Sequence, residues 1–190
     1  GKSTATKAFQ ALSVPVIETD FIAKSLTEID QPAYKAIVSH FGANICDAEG
    51  HLNRHTLRDL IFNDAEEKTW LEQCLHPLIQ TAVLRECESI KLLNKPYLVI
   101  DIPLLTKSNQ ARYAIDRVVV VDATRETQLN RLLARDQITE SLAKKMLDQE
   151  VLSQSKRLAF ADHVLKNDGD MNALKQQVHV AHQTLTHAAL

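Results

Sequence analysis

The residues of this chain best suited to chemistry are a lysine with two hydroxyls at its start and a set of acids that each close an apolar run. Gly1-Lys2-Ser3-Thr4 matches the last specified positions of the phosphate-binding motif G-x-x-x-x-G-K-[ST]. In such a loop the lysine reaches the β and γ phosphates of a nucleotide, and the hydroxyl beside it ligates Mg²⁺. The triplet is short, and Ser or Thr before a helix also serves as a plain cap. Its meaning therefore depends on what the rest of the chain supplies. Asp20 follows the apolar stretch "VPVIE" and has the chemistry to take a proton from a substrate hydroxyl or to hold a metal-bound water. The same residue type would cap a helix beginning at "FIAKSL". Asp101, after "YLVI", has the pattern of a strand-end acid that binds Mg²⁺ directly or through water, and equally that of a plain strand terminus. Asp122, after "RVVVV", leads straight into a helical pattern, where capping is the expected job.

Basic residues come next. Arg131 and Arg135 are four apart in "NRLLARD" and would share one helix face, a spacing able to clamp phosphates. A single surface arginine is more often simply solvated. Arg157 in "SKRLAF" is a third cation of this kind. His76 precedes Pro77 in "LHPLIQ", where the proline predicts a break between two helical runs and an exposed histidine beside it. His179, His182 and His187 lack the spacing of a zinc motif and are read as helix-surface residues.

These side chains need elements to hold them. Apolar residues at Ala5, Ala8, Phe9 and Leu12 recur at helical spacing directly behind the Gly-Lys-Ser triplet. "VPVIETD", "PYLVIDIPLL" (96–105), "DRVVVVDA" (116–123) and "HVLKN" read as strands, the middle two near-continuously aliphatic, as in parallel sheets covered on both faces. Between the first two lie only helical patterns, "AYKAIVSHF", "RHTLRDLIF" and "EKTWLEQCLHPLIQTAVLRECESIKLL", with Gly42 and Gly50 marking a turn-rich connection. That stretch is too long for a simple crossover. Charged helical residues at about 139–159 follow, and "NDGD" is a turn before a last helix carrying Met171, Leu174, Val178 and Ala181. The alternation predicts an α/β, doubly wound parallel sheet with a helical insertion. In open sheets of this class ligands bind beyond the carboxyl ends of the strands, which groups Gly-Lys-Ser-Thr with Asp20, Asp101, Pro103 and Asp122.

At 190 residues the chain suits one domain with an insertion, and its 45% hydrophobic and 24% charged residues are ordinary for a globular protein. A net charge of −2 speaks against a dedicated nucleic-acid surface but not against a local cationic pocket. No apolar run approaches a membrane span, and no signal peptide is visible. Cys46, Cys74 and Cys87 are unpatterned and read as free thiols of a reducing, cytoplasmic compartment. The strand that feeds a phosphate loop, and most of the amides that line it, would precede Gly1, so roughly ten to fifteen further residues are expected there.

Taken in order, "GKST", "VIETD.IA", "HFG", "L.R..LR..IF......K.WLE..LHPLI", "DIPLL", "RVVVVD", "ETQL.R...RD" and "ADHVLKNDG" make the chain resemble the dephospho-CoA kinase family from residue 1 to roughly 170. The resemblance implies a P-loop kinase of the nucleoside-monophosphate-kinase type, with ATP as co-substrate, Mg²⁺, and transfer to the ribose 3′-hydroxyl of dephospho-CoA in the last step of coenzyme A synthesis. Its core would be 1–22, 95–135 and 161–190, its CoA-binding insertion 23–94, and its lid 136–160. By the same resemblance Asp20 is the base, Lys2 and Arg135 are catalytic, and Gly1, Lys2, Ser3, Thr4, Arg131, Arg157, Asn167 and Gly169 bind ATP. Arg54, Arg58, His76 and Pro103 would surround the acceptor, and Ser3 and Asp101 would hold the metal. The implied partners are these small molecules, with neither nucleic acid nor membrane, on a monomer or small homo-oligomer. Three features depart from the family: Glu18 stands where aspartate is usual, Thr106 and Lys107 stand where an apolar residue and glutamate are usual, and the front of the phosphate loop is absent. The competing readings are another small-molecule kinase of the same fold and a non-catalytic sensor of ATP or CoA.

Overall fold

The computed structural model describes residues 1–103, 105, 107–136, 138–148 and 154–188, with the backbone alone for 107–109. Thr106, the Lys107 side chain, and residues 137 and 149–153 of the expected lid therefore lie outside the described residues. The elements run α1 (Lys2–Ala11), β1 (Val16–Glu18), α2 (Thr19–Leu26), α3 (Pro32–Phe41), a 3-10 turn (Ala43–Ile45), α4 (Arg54–Asn63), α5 (Ala65–Lys91), β2 (Val99–Asp101), α6 (Lys107–Arg112), β3 (Val119–Asp122), α7 (Arg125–Asp136), α8 (Glu140–Asp148), α9 (Gln154–Leu158), β4 (His163–Lys166) and α10 (Met171–Ala188). The chain divides into two compact units, Gly1–Val16 with Ile115–Leu190, and Ile17–Ala114.

In the first unit β3 and β4 pair in parallel, Val119 opposite His163 and Asp122 opposite Lys166. Helix α1 packs on α10. The apolar stripes meet as the periodicity predicts: Ala5, Ala8 and Phe9 are buried on one helix, and Leu174, Val178, Ala181 and Leu185 on the other. Met171, which shares that periodicity, opens α10 and stays exposed. Helix α8 docks on α7, where Arg125 reaches both the Lys144 carbonyl and the Asp148 carboxylate. The side chain of Gln177 in α10 lies along β4: its Oε1 accepts from the Lys166 amide, and its Nε2 donates to the Lys166 carbonyl, both at 2.7 Å.

In the second unit β1 pairs with β2, and helices α2 to α5 fill the space between them in sequence. Ile37, Ile45 and Leu71 form the buried centre, ringed by Phe41, Leu57, Ile61 and Trp70. Gly42 and Gly50 both carry φ near +85° (83° and 86°), the left-handed region that glycine enters without a Cβ penalty. They let the turn fold back so that the Tyr34 hydroxyl donates to the Gly50 carbonyl at 2.6 Å. Helix starts are capped in the expected way, Asn53 accepting from the His55 and Thr56 amides and Asp64 from those of Glu66 and Glu67.

Two expectations fail here. Pro77 does not divide two helices; α5 passes through it as one helix from Ala65 to Lys91. A proline removes one backbone bond and crowds the preceding turn, at a cost of about 3 kcal/mol. Contacts of α5 with α2, α3 and α4 supply the compensation that the local sequence cannot reveal. The strands are also far shorter than their aliphatic runs. The run at 96–105 forms a strand only over Val99–Asp101, because its partner β1 is itself three residues long.

Candidate active site

The residues expected on the nucleotide side belong to the first unit. Gly1 is the N-cap of α1, and its carbonyl accepts from the Thr4 and Ala5 amides at 3.1 Å each. The helix thus presents its start, the end that attracts anions, at the Gly-Lys-Ser triplet. Ser3 is exposed there, and Thr4 is half-buried. A Cβ added to Gly1 would stand 1.8 Å from Nδ2 of Asn167 and 3.2 Å from Cγ1 of Val121, so glycine is required by close approach. Asn167 is buried, and its amide donates to the Asp122 carbonyl at 2.7 Å. Arg131 donates from Nη1 to the Asn167 carbonyl at 2.7 Å and from Nη2 to the Gly169 carbonyl at 3.2 Å. Between those carbonyls, Asp168 Oδ1 accepts from the Thr124 amide at 2.7 Å, and that bond holds its carboxyl below the usual range. The positive charges of Arg131, Lys2 and Arg135 all reach the start of α1. Gly1 and Asn167 thus lie against each other, and Arg131 holds the carbonyls on either side of Asp168.

Arg135 does not share the work of Arg131. Its guanidinium forks onto the neighbouring Asp136 at 2.5 and 2.7 Å, and that bond draws the Asp136 carboxyl down. Arg157 sits half-buried on α9.

Asp122 departs from its expected role. Helix α7 is capped by Thr124, whose Oγ1 accepts from the Thr127 amide at 3.3 Å, a hydroxyl three residues ahead that the sequence "TRET" already contains. The buried Asp122 carboxylate instead receives Gln154 Nε2 at 3.0 and 2.9 Å and lies 3.6 Å from Lys166 Nζ. Sequence reasoning missed this group because Gln154 is 32 residues away and carries no motif.

The residues expected on the acceptor side belong to the second unit. Thr19 Oγ1 donates to the Asp101 carbonyl at 3.0 Å, a buried bond that ties the carboxyl ends of β1 and β2 together. Asp101 is buried beside it. Asp20 follows at once, but not as a cap: α2 starts at Thr19 with Glu18 at its N-cap, and Asp20 stands in the first helical turn. It is exposed, and among the described residues no hydrogen bond or ion pair engages its carboxylate. Arg54 opens α4 and donates to Thr27 Oγ1 at 3.2 Å, at the far end of α2. Seven residues of helix separate that end from Asp20, about 10 Å along the axis. Arg58, on the same face of α4, is exposed with Asp59 3.9 Å away. His76 is exposed within α5, and Pro103 is exposed after β2.

Sequence and structure comparisons identify the family and the fold. The family model for dephospho-CoA kinase matches residues 1–173. The chain belongs to the dephospho-CoA kinase family. Among dephospho-CoA kinases, it is 42% identical to that of Yersinia pseudotuberculosis over 182 residues, covering 96% of this chain and 86% of the relative. It is 40% identical to the Escherichia coli K12 enzyme over 178 residues, covering 94% and 84%. The solved dephospho-CoA kinase of Campylobacter jejuni superposes with a TM-score of 0.73 at 26% identity, over 100% of this chain and 93% of that one. A Thermus thermophilus structure shares the fold, with a TM-score of 0.76 over 97% of this chain and 92% of that one, at 23% identity. The architecture is therefore the α/β P-loop kinase fold, and the chain is a phosphotransferase. Among the described residues no helix is long and apolar enough to cross a membrane, and no three His, Cys, Asp or Glu side chains gather as a metal cage.

Proposed function

We propose that the chain transfers the γ-phosphoryl group of ATP to the ribose 3′-hydroxyl of dephospho-CoA, giving coenzyme A and ADP in the last step of coenzyme A synthesis. The observation that carries the reading is the Asp20 carboxylate, exposed and unbonded among the described residues, one residue beyond the tied strand ends. A general base must reach its proton without first giving up a structural partner. Lys2 meets the β and γ phosphates at the start of α1, and Arg135 and Arg157 offset charge on the transferring group. Asn167, Gly169 and Thr4 border the rest of the nucleotide. Arg54, Arg58, His76 and Pro103 receive the acceptor, with 23–94 as the acceptor-binding insertion and 136–160 as the lid.

Ser3 and Asp101 are the metal-side residues. Both offer hard oxygen donors, and Mg²⁺ retains several waters and phosphate oxygens, so one or two protein oxygens suffice. Bound there with ATP, Mg²⁺ would neutralise charge on the phosphates. Positioning and charge stabilisation carry most of such a reaction, which is why a closing lid that excludes water is useful. The enzyme would act in the cytoplasm as a monomer or small homo-oligomer.

ADP release from ATP and Mg²⁺, with dephospho-CoA, adenosine and AMP offered as acceptors, tests the proposal in the full-length protein. Turnover should be confined to dephospho-CoA. Asp20→Asn should lower kcat by about 10²- to 10⁴-fold with little change in either KM. Tight ATP binding without turnover would leave a nucleotide sensor in place of a kinase.

A further inference from the structure

A carboxylate that the proposed chemistry does not use lies buried at the end of β3. The Asp122 side chain is 3% exposed, and among the described residues two groups approach it. Lys166, opposite it on β4, brings Nζ to 3.6 Å, outside hydrogen-bond range, and keeps most of its own side chain in solvent. Gln154 Nε2 straddles the two carboxylate oxygens at 3.0 and 2.9 Å. The hydrogen bonds that a buried carboxylate requires therefore come from a neutral amide at the start of α9, inside the expected lid.

Helix α9 is not seated by apolar packing, since none of its five residues is buried. It lies along β3 with a polar tie at each end. Beyond its C-terminal end the Asp162 amide donates to the Val118 carbonyl at 2.9 Å, and the Val118 amide donates to Asp162 Oδ2 at 2.7 Å, just ahead of the first residue of β3. At its start Gln154 reaches Asp122, the last residue of the same strand. The two ties differ in consequence. Loss of the Asp162 tie would free α9 at the amino end of β3. Loss of Gln154 would free it at the carboxyl end, where ligands of open α/β sheets bind. Arg157 stands three residues after Gln154 and shares its helix face. The bond that turns Gln154 toward the end of β3 thus also sets the direction of Arg157.

We infer that Gln154 is a positioning residue for phosphoryl transfer: through the buried Asp122 carboxylate it seats α9 along β3 and fixes the direction in which Arg157 extends. The inference deepens the kinase reading and rests on it for the role of Arg157.

The test compares full-length wild type with Gln154→Met, Gln154→Asn, Arg157→Met and the Gln154→Met, Arg157→Met pair. It reads kcat, both KM values, a thermal melt, and the rate of trypsin cleavage after Lys156. Methionine keeps the length of the side chain and removes the donor; asparagine keeps the amide and withdraws it by one methylene. Each Gln154 variant should lower kcat about tenfold, leave both KM values within about twofold, and speed cleavage after Lys156 about tenfold. The melt should move little, because no buried residue leaves the core with α9. Arg157→Met should lower kcat at least as far, and adding Gln154→Met to it should cost less than about twofold more, since the first residue acts through the second. Losses that multiply in the pair would overturn the inference, and so would an unchanged kcat in the Gln154 variants. If the methionine variant fails to fold, the asparagine variant decides. A wild type without turnover would sink the kinase reading, while cleavage after Lys156 would still decide whether Gln154 seats α9, an unchanged rate overturning it.

Discussion

Gly1→Ala is the perturbation whose consequences follow most directly from the geometry. The new methyl carbon would lie 1.8 Å from Asn167 Nδ2 and 2.8 Å from its Cγ, where ordinary contact begins at 3.4 Å. The Asn167 backbone cannot retreat, because its amide is held by the Asp122 carbonyl and its carbonyl by Arg131. Relief must come from the side chain, which is only 7% exposed. Leaving its rotamer costs about 0.5–1.5 kcal/mol, and disturbing the polar contacts of a buried amide about 1–3 kcal/mol. A net loss of about 2–3 kcal/mol corresponds to a fall in Tm of about 4–12 °C for a chain of this size. The same clash occurs where the nucleotide pocket is proposed, so the rise in Tm on adding ATP should shrink by more than the apo Tm falls. Calorimetric or fluorescence melts with and without ATP read both effects. Asn167→Ser in the Gly1→Ala background should recover most of the stability, since the amide that collides is gone, and the double-mutant cycle should show strong coupling. A Gly1→Ala protein that melts with the wild type and binds ATP equally well would refute the argument that this glycine is required by close approach.

Two further outcomes can be measured on stability. Thr19→Val keeps the buried shape but removes the donor to the Asp101 carbonyl, and should cost about 1–3 kcal/mol in denaturant unfolding while lowering kcat through looser strand ends; equal stability and kcat would show that the bond organises nothing. Burial pushes the Tyr97 phenol from 10.0 up to about 12, so its neutral form is favoured in the folded state. The associated stability is complete below pH 10.0 and is lost as the pH rises through about 12. Denaturant midpoints across that window should fall with pH, and Tyr97→Phe should flatten the fall; an unchanged slope in the variant would assign it elsewhere, Tyr113 being raised in the same direction by burial.

What could be read from the sequence was what local chemistry determines. The acids after "YLVI" and "RVVVV" do stand at the last positions of β2 and β3, because an aliphatic run ends where the chain leaves the core. The stripes of α1 and α10 meet because a helix with one apolar face must bury it. The role of Arg131 was not legible, since its partners are backbone carbonyls, which every residue carries and no motif marks. The passage of α5 through Pro77 depends on three other helices, and the fate of Asp122 on a glutamine in a distant short helix. Asp20 lies between these cases. Its placement after a strand was foreseeable, but its freedom from a capping role follows from Thr19 starting the helix one residue earlier.

Gln177 makes a larger claim on the molecule than its two hydrogen bonds suggest. By offering an acceptor and a donor to Lys166 at the spacing of a peptide group, its side-chain amide occupies the position that the backbone of another strand would take. The residue of β4 opposite Asp122 is thereby closed to any extended segment from a second molecule. That closure is lent by α10, so it lasts only as long as the helix stays seated. Unseating of the last helix would uncover that edge and, because α1 packs on α10, would loosen the Gly-Lys-Ser start of α1 as well, so solubility on storage or heating and the order of the nucleotide end depend on the same helix.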